Sequence, residues 1–233
     1  MVTKLLVCLA NSYKHGGRCV AGIDPKTRTW FRPVSSRPGG EVHARDRQCP
    51  VGGEPRLLDC LSVMLSKHCP YEFREENWLF EDRRLWLNMG RVGWLEACSL
   101  AQDPDTLWLN GYHSDRGVNN CVPVTLKTEV RGSLKLIHVN EADVTVSPRL
   151  DGKRRVRLTF QHNKVEYMLP VTDPEFLKKW QVDQERENKQ RKFSLGESLL
   201  TVSLAGEATH NRGNLHKLVA GVVERSNEET VTT

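Results

Sequence analysis

The chain has 233 residues, with 34 basic and 29 acidic side chains and a formal net charge of +5. That length accommodates one large domain or two small ones, and 38% hydrophobic with 27% charged residues describes a soluble globular protein. No apolar run approaches the roughly 18 residues that cross a bilayer, so a membrane-spanning helix is excluded. The leading apolar run, Leu5 to Ala10, covers six residues. It is shorter than the about 7–15 of a secretory signal, so a cytoplasmic protein is expected. The seven cysteines contain no close C-x-x-C pair and favour neither a disulfide framework nor a zinc site.

In chain order, Lys4 to Ala10, Arg18 to Ile23 and Thr29 to Val34 read as strands, the last two joined by the turn Asp24-Pro25-Lys26-Thr27. Residues 35–55, rich in Ser, Arg, Pro and Gly, read as a loop. Arg56 to Cys69 is ambiguous in period, with strand preferred over helix. Tyr71 to Leu109 carries Trp78, Trp86, Trp94 and Trp108 and reads as helical pieces, the best of them Val92 to Leu100.

After the Asn/Gly/Asp-rich stretch at 110–120 a β meander follows. Its strands are Ser133 to Val139, Ala142 to Ser147, Arg154 to Gln161 and Val165 to Leu169. In the third, Val156, Leu158 and Phe160 alternate with Arg155, Arg157 and Thr159, giving one core face and one basic face. Asp173-Pro174 starts a helix whose polar second half runs through Lys192. Leu199 to Leu204 and Leu215 to Val223 close the chain as two strands.

The expected fold is mainly β with added helices, two OB-like small β-barrels in tandem. Residues 1–115 form the first, with a tryptophan-rich helical insertion. Residues 116–226 form the second, with one long helix, and 227–233 a loose tail. A parallel α/β sheet is disfavoured because the meander's turns are too short to hold crossover helices.

Two segments carry a family resemblance. Asn11-Ser12-Tyr13-Lys14-His15-Gly16-Gly17-Arg18-Cys19-Val20-Ala21-Gly22 followed by Trp30-Phe31-Arg32-Pro33-Val34-Ser35 resembles the opening signature of the dual OB domain family found in prokaryotic conflict and defence contexts. Thr201-Val202-Ser203-Leu204-Ala205-Gly206-Glu207 with Lys217-Leu218-Val219-Ala220 is similar to that family's C-terminal strand pair, with Ala205 standing where the family usually has glycine. The resemblance implies a two-barrel fold and a nucleic-acid role, and it supplies no catalytic residues.

Three groups of residues are candidates for ligand contact. In the loop from Asn11 to Arg18, Gly16 and Gly17 let backbone N–H groups face an anion, and Lys14, His15 and Arg18 add positive charge. The competing reading is a tight strand connection. Trp30 and Arg32 share a strand face and offer a ring and a guanidinium for a base and a phosphate; otherwise Trp30 packs under a loop and Arg32 makes a surface ion pair. Lys153, Arg155 and Arg157, with Lys164 across the hairpin, form a basic stripe able to follow a phosphate backbone, or else a solvated sheet face.

Catalytic signatures are missing. The eight histidines show no H-x-H or H-E-x-x-H spacing, and the acid pairs Glu75-Glu76 and Glu81-Asp82 read as surface residues. No catalytic residue, metal or cofactor is assigned, and no enzyme is expected. The leading expectation is a non-catalytic binder of single-stranded nucleic acid or a nucleotide, probing no membrane. The alternatives are an adaptor that docks an effector nuclease or helicase of an antiviral defence system through the tryptophan-rich middle, and a divergent metal-dependent nuclease.

Overall fold

Alternation of buried and half-exposed residues builds the first ladder. In Asp59–His68, Leu61, Val63 and Leu65 are buried while Ser62 and Met64 lie between them, half-exposed, on the other face. The computed structural model describes residues 1–14, 16–81, 84–148, 154–181, 189–206 and 213–225. Contacts divide the chain into two compact units, Met1–Leu100 with Arg131–Ser133, and Ala101–Val130 with Leu134–Thr233.

In the first unit the strands are β1 (Val2–Lys14), β2 (Gly17–Ile23), β3 (Trp30–Val34), β4 (Asp59–His68), β5 (Asn77–Phe80) and β6 (Leu87–Arg91), with short helices α1 (Ala44–Arg47) and α2 (Trp94–Ser99). Their order is β1-β2-β3-β5-β4-β6, and β1 also pairs with β4. β1 to β5 therefore close on themselves, with β3 and β5 parallel. This is the five-stranded Greek-key closure of an OB barrel. β1 serves two partners: Val2–Val7 bonds β4, Val7–Lys14 bonds β2, and the register shifts between Cys8 and Ala10. Leu6, Cys8, Val20, Phe31, Leu61, Val63, Leu65, Phe80 and Trp86 form the core.

The second unit holds β7 (Cys121–Pro123), a 3-10 turn (Val124–Glu129), β8 (Leu134–Val139), β9 (Ala142–Pro148), β10 (Arg154–His162), β11 (Val165–Pro170), α3 (Pro174–Gln181), β12 (Arg191–Leu195), β13 (Ser198–Ala205) and β14 (Asn214–Glu224). Its two sheets run β11-β10-β9-β12 and β7-β14-β13-β8. A parallel bridge, Val171 to Val219, joins the end of the first sheet to β14. With β8 and β9 taken as one interrupted strand, the path is β8/β9-β10-β11-β14-β13 and back to β8, the same order as the first barrel.

The mainly β, two-barrel expectation holds. Several local readings change. The tryptophan-rich region contributes two strands, β5 and β6, as well as α2, because its apolar side chains complete a barrel wall. β8 does not hydrogen-bond to β9, as a simple meander would; it pairs with β13. Arg191 and Lys192 are strand residues in β12, because Phe193 and Leu195 sit on the face of β9 that carries Val144 and Ala142. The polar stretch 182–188 and the tail 226–233 lie outside the described residues. Asp173 caps α3, its Oδ1 accepting from the N–H groups of Glu175 and Phe176 at 3.0 and 3.3 Å. Its Oδ2 accepts from Val222 N–H at 3.0 Å, so the cap also ties α3 to β14. No disulfide links the cysteines, and no helix among the described residues is long and apolar enough to cross a membrane.

The second barrel buries a lysine completely. Lys217 on β14 is 0% exposed. Its Nζ donates to the Leu109 carbonyl at 2.7 Å and lies 5.2 Å from the centre of the Tyr167 ring. The Tyr167 hydroxyl donates to Asn110 Oδ1 at 2.8 Å. No carboxylate faces the ammonium among these contacts, and burial lowers its pKa from 10.5 to about 8, with Cys121 opposing. Between those two values the unfolded chain is protonated at this position and the folded chain is not, so Lys217 makes stability rise with pH across that window. Burial also raises the Cys121 thiol, so the clean measurement is a difference that isolates Lys217. Lys217→Met removes the effect: the stability of the variant relative to the parent, measured by urea unfolding, should fall by about 3 kcal/mol between pH 8 and 10.5.

Candidate nucleic-acid interface

In the first barrel the loop proposed to hold an anion is almost entirely strand. Lys14 pairs with Gly17, Tyr13 with Arg18 and Ser12 with Cys19, so the pairing runs up to Gly17 and leaves Gly16 in the connection. Gly16 has φ +84° and open space around it, so its need for glycine is conformational. A Cβ on Gly17 would come within 3.0 Å of Glu41 Cγ and the Val42 carbonyl, so this glycine admits the Arg18–Val42 bridge. Both glycines serve the tight connection. His15 lies outside the described residues.

Alternation across this hairpin sends Lys14 and Arg18 to opposite faces. Arg18 lies over the Tyr13 ring, 4.2 Å from its centre, and its Nε is 3.4 Å from Glu54, which Arg47 also holds at 2.9 Å. Lys14 is half-buried, and its ammonium makes no hydrogen bond or ion pair among the described residues. Its pKa is lowered, first by burial and then by Arg32 and Arg74, with Cys19 and Glu41 opposing. Arg74, between β4 and β5, is lowered by burial and then by Arg32. It reaches Glu72 at 3.7 Å and lies 4.9 Å from the centre of the Phe73 ring. Lys14, Arg32 and Arg74 thus feel one another from three segments of the chain.

Arg32 corrects the stacking expectation. Its side chain is 6% exposed, and its Nη2 is 2.8 Å from Glu76 Oε1 and donates to Ser133 Oγ at 2.7 Å. Ser133 in turn donates through its hydroxyl and N–H to the Glu76 carboxylate. Arg32 is a structural cation, and Glu76, read as a surface acid, is its buried partner. Trp30 is half-buried opposite Ile23 on β2, so the ring and guanidinium do not form an open platform.

The tryptophan-rich middle also packs inward. Trp86, Trp94 and Trp108 are buried, and half-buried Trp78 sits 4.8 Å from His68 and 5.9 Å from Phe31. The exposed large apolar residues nearby are instead Leu85, Leu87 and Met89, on and before edge strand β6, with Val51 and Leu95.

In the second barrel the basic face lies where the sequence places it. Arg155 pairs with Ser147, and Arg157 with Thr145 on β9 and Pro170 on β11, so the two arginines share the outer face while Val156 and Leu158 are buried. Burial lowers the pKa of Arg157, the nearby guanidiniums of Arg155 and Arg116 lower it further, and Asp115 opposes them. Arg116 reaches Asp115 at 3.4 Å, both well exposed. Across β9, Lys192 pairs with Thr145 and adds an exposed ammonium to the same face. Lys153 lies outside the described residues, and Lys164 is exposed at the β10–β11 turn.

Sequence reasoning missed Arg74, Arg116 and Lys192. Lys192 was legible in principle, since Phe193 and Leu195 alternate with Lys192 and Ser194 as a strand does. Arg74 and Arg116 lie in irregular segments whose neighbours only the fold supplies. Among the described residues no group of three or more His, Cys, Asp or Glu side chains is arranged to hold a metal ion.

Two consecutive Greek-key barrels of the same strand order define a tandem OB protein, a binding module whose second and third strands and adjoining loops commonly take oligonucleotides. A family model described as the dual OB-containing domain matches residues 4–222, and the chain belongs to that family. No curated protein and no solved structure matches the chain.

The buried pair gives a stability test. Arg32→Ala leaves the buried Glu76 carboxyl group without its counter-ion, held by Ser133 alone, and should lower the unfolding free energy by about 3–5 kcal/mol, whereas an Arg32→Met, Glu76→Leu double variant should lose much less. Chemical denaturation of both variants makes the comparison.

Proposed function

We propose that this protein is a cytoplasmic, non-catalytic module that binds single-stranded nucleic acid on the outer face of its second barrel. One observation carries the reading. Arg157 stands among Arg155, Arg116 and Lys192 on the β9–β10 face of an OB barrel, and among the described residues Asp115 opposes them. Neighbouring cations that raise one another's energy are relieved by a polyanion, and strand register lays these along a surface a backbone could follow. In the first barrel, Lys14 and Arg74 supply a smaller cationic cluster beside the β1–β2 turn. The resemblance to a defence-associated family supports a place in a prokaryotic antiviral system.

A second reading has its own observation. Leu85, just before edge strand β6, and Leu87 and Met89 on it are exposed apolar side chains, which favours an adaptor that also docks an effector nuclease or helicase through that edge.

Fluorescence anisotropy with labelled single-stranded RNA and DNA tests the main reading. The logarithm of the binding constant should fall linearly with the logarithm of salt concentration. Arg155→Ala with Arg157→Ala should weaken binding and flatten the slope by roughly 0.7 for each phosphate contact removed. Affinity that does not change between low and high salt would overturn the proposal.

A further inference from the structure

Along the outer face of the β11-β10-β9-β12 sheet the charge changes sign within one strand repeat. Lys192, Thr145 and Arg157 lie side by side on β12, β9 and β10. The next row, two residues along each strand and about 7 Å away, is Ser194, Asp143 and Thr159. Beyond it Gln161 faces Glu166 on β11. This second region lines a cavity of about 500 Å³, to which Asn140, Glu141, Asp143, Gln161 and Glu166 contribute polar groups. Among the described residues the carboxylates of Glu141, Asp143 and Glu166 are in no ion pair.

The first row holds an orphan. Thr145 is 3% exposed, its side chain shares this face with Asp143 and Arg157, and among the described residues its Oγ1 has no hydrogen-bond partner. A hydroxyl so deeply buried is ordinarily satisfied, so the cationic row beside the cavity holds an unmet polar group.

A phosphate is repelled from a cavity lined by carboxylates, and these side chains are not arranged as a metal cluster. A group rich in N–H donors suits these oxygens, and one held one strand repeat from a seat for an anion suits both rows at once. A nucleotide has that shape. Among the bases, guanine presents a ring N–H beside an exocyclic amino group, two donors matched to the two oxygens of a carboxylate. Uracil presents one N–H between two carbonyls that a carboxylate repels. We propose that this cavity reads guanine, with Asp143 accepting from the base while Arg157 and Lys192 hold its phosphate. The inference rests on the reading of this face as the nucleic-acid surface.

The test compares a short labelled oligouridylate with the same strand carrying guanosine, adenosine or cytidine at one position, each titrated with the whole protein by anisotropy. Guanosine should tighten binding about tenfold over uridine. Asp143→Asn, at an exposed position, should erase that preference and leave the salt dependence intact, whereas Arg157→Ala should weaken all four strands alike. Equal affinity for the four strands with salt-dependent binding retained would overturn the guanine assignment alone, as would a preference that survives Asp143→Asn. Failure of every strand to bind would overturn the nucleic-acid reading itself.

Discussion

A strand that must hydrogen-bond one neighbour over its first half and another over its second has to break its register between them, and both barrels depend on that constraint. In the first, β1 leaves β4 for β2 at the shift between Cys8 and Ala10. In the second, β8 serves β13 and β9 serves β10, with Asn140 and Glu141 between them. Breaks of this kind bend a sheet and increase its twist, which lets five strands close. They also decide which residues look outward, because a slip of one residue exchanges the faces.

Closure separates cations by what lies opposite them. Arg32 meets Glu76 and Ser133, and Arg18 meets Glu54 and the Tyr13 ring. A buried guanidinium is tolerated only with its charge matched and most of its donors satisfied, so Arg32 belongs to the framework. Arg157 meets Arg155 and Arg116 as well as Asp115, with the cations outweighing the carboxylate. An arginine raised in energy by its neighbours is one that a bound anion can relieve, and the ligand face follows from that difference more than from the number of basic residues.

The β9–β10 surface and the Asn140–Glu141 interruption are parts of one device. The break that closes the second barrel also places Asn140 and Glu141 in the lining of the cavity, together with Asp143 and Thr159. A single strand therefore carries the closure, the acidic end of the face and the buried Thr145 hydroxyl.

Period-two alternation made much of this readable beforehand. Val156, Leu158 and Phe160 against Arg155 and Arg157 announced a strand with a basic outer face, and Asp173-Pro174 announced a helix start, because both signals are local consequences of backbone geometry. The fates of Arg32 and Arg18 were not local. Whether an arginine on a strand faces a ligand or a carboxylate depends on which distant segment folds over it, and Glu76, Ser133 and Glu54 arrive only when the barrel closes. The same holds for Lys217, whose strand was evident but whose complete burial required Leu109, Asn110 and Tyr167 to be brought around it. Sequence determined the elements and their faces; tertiary structure alone decided which charges were matched, since electrostatic partnership is set by distance in space.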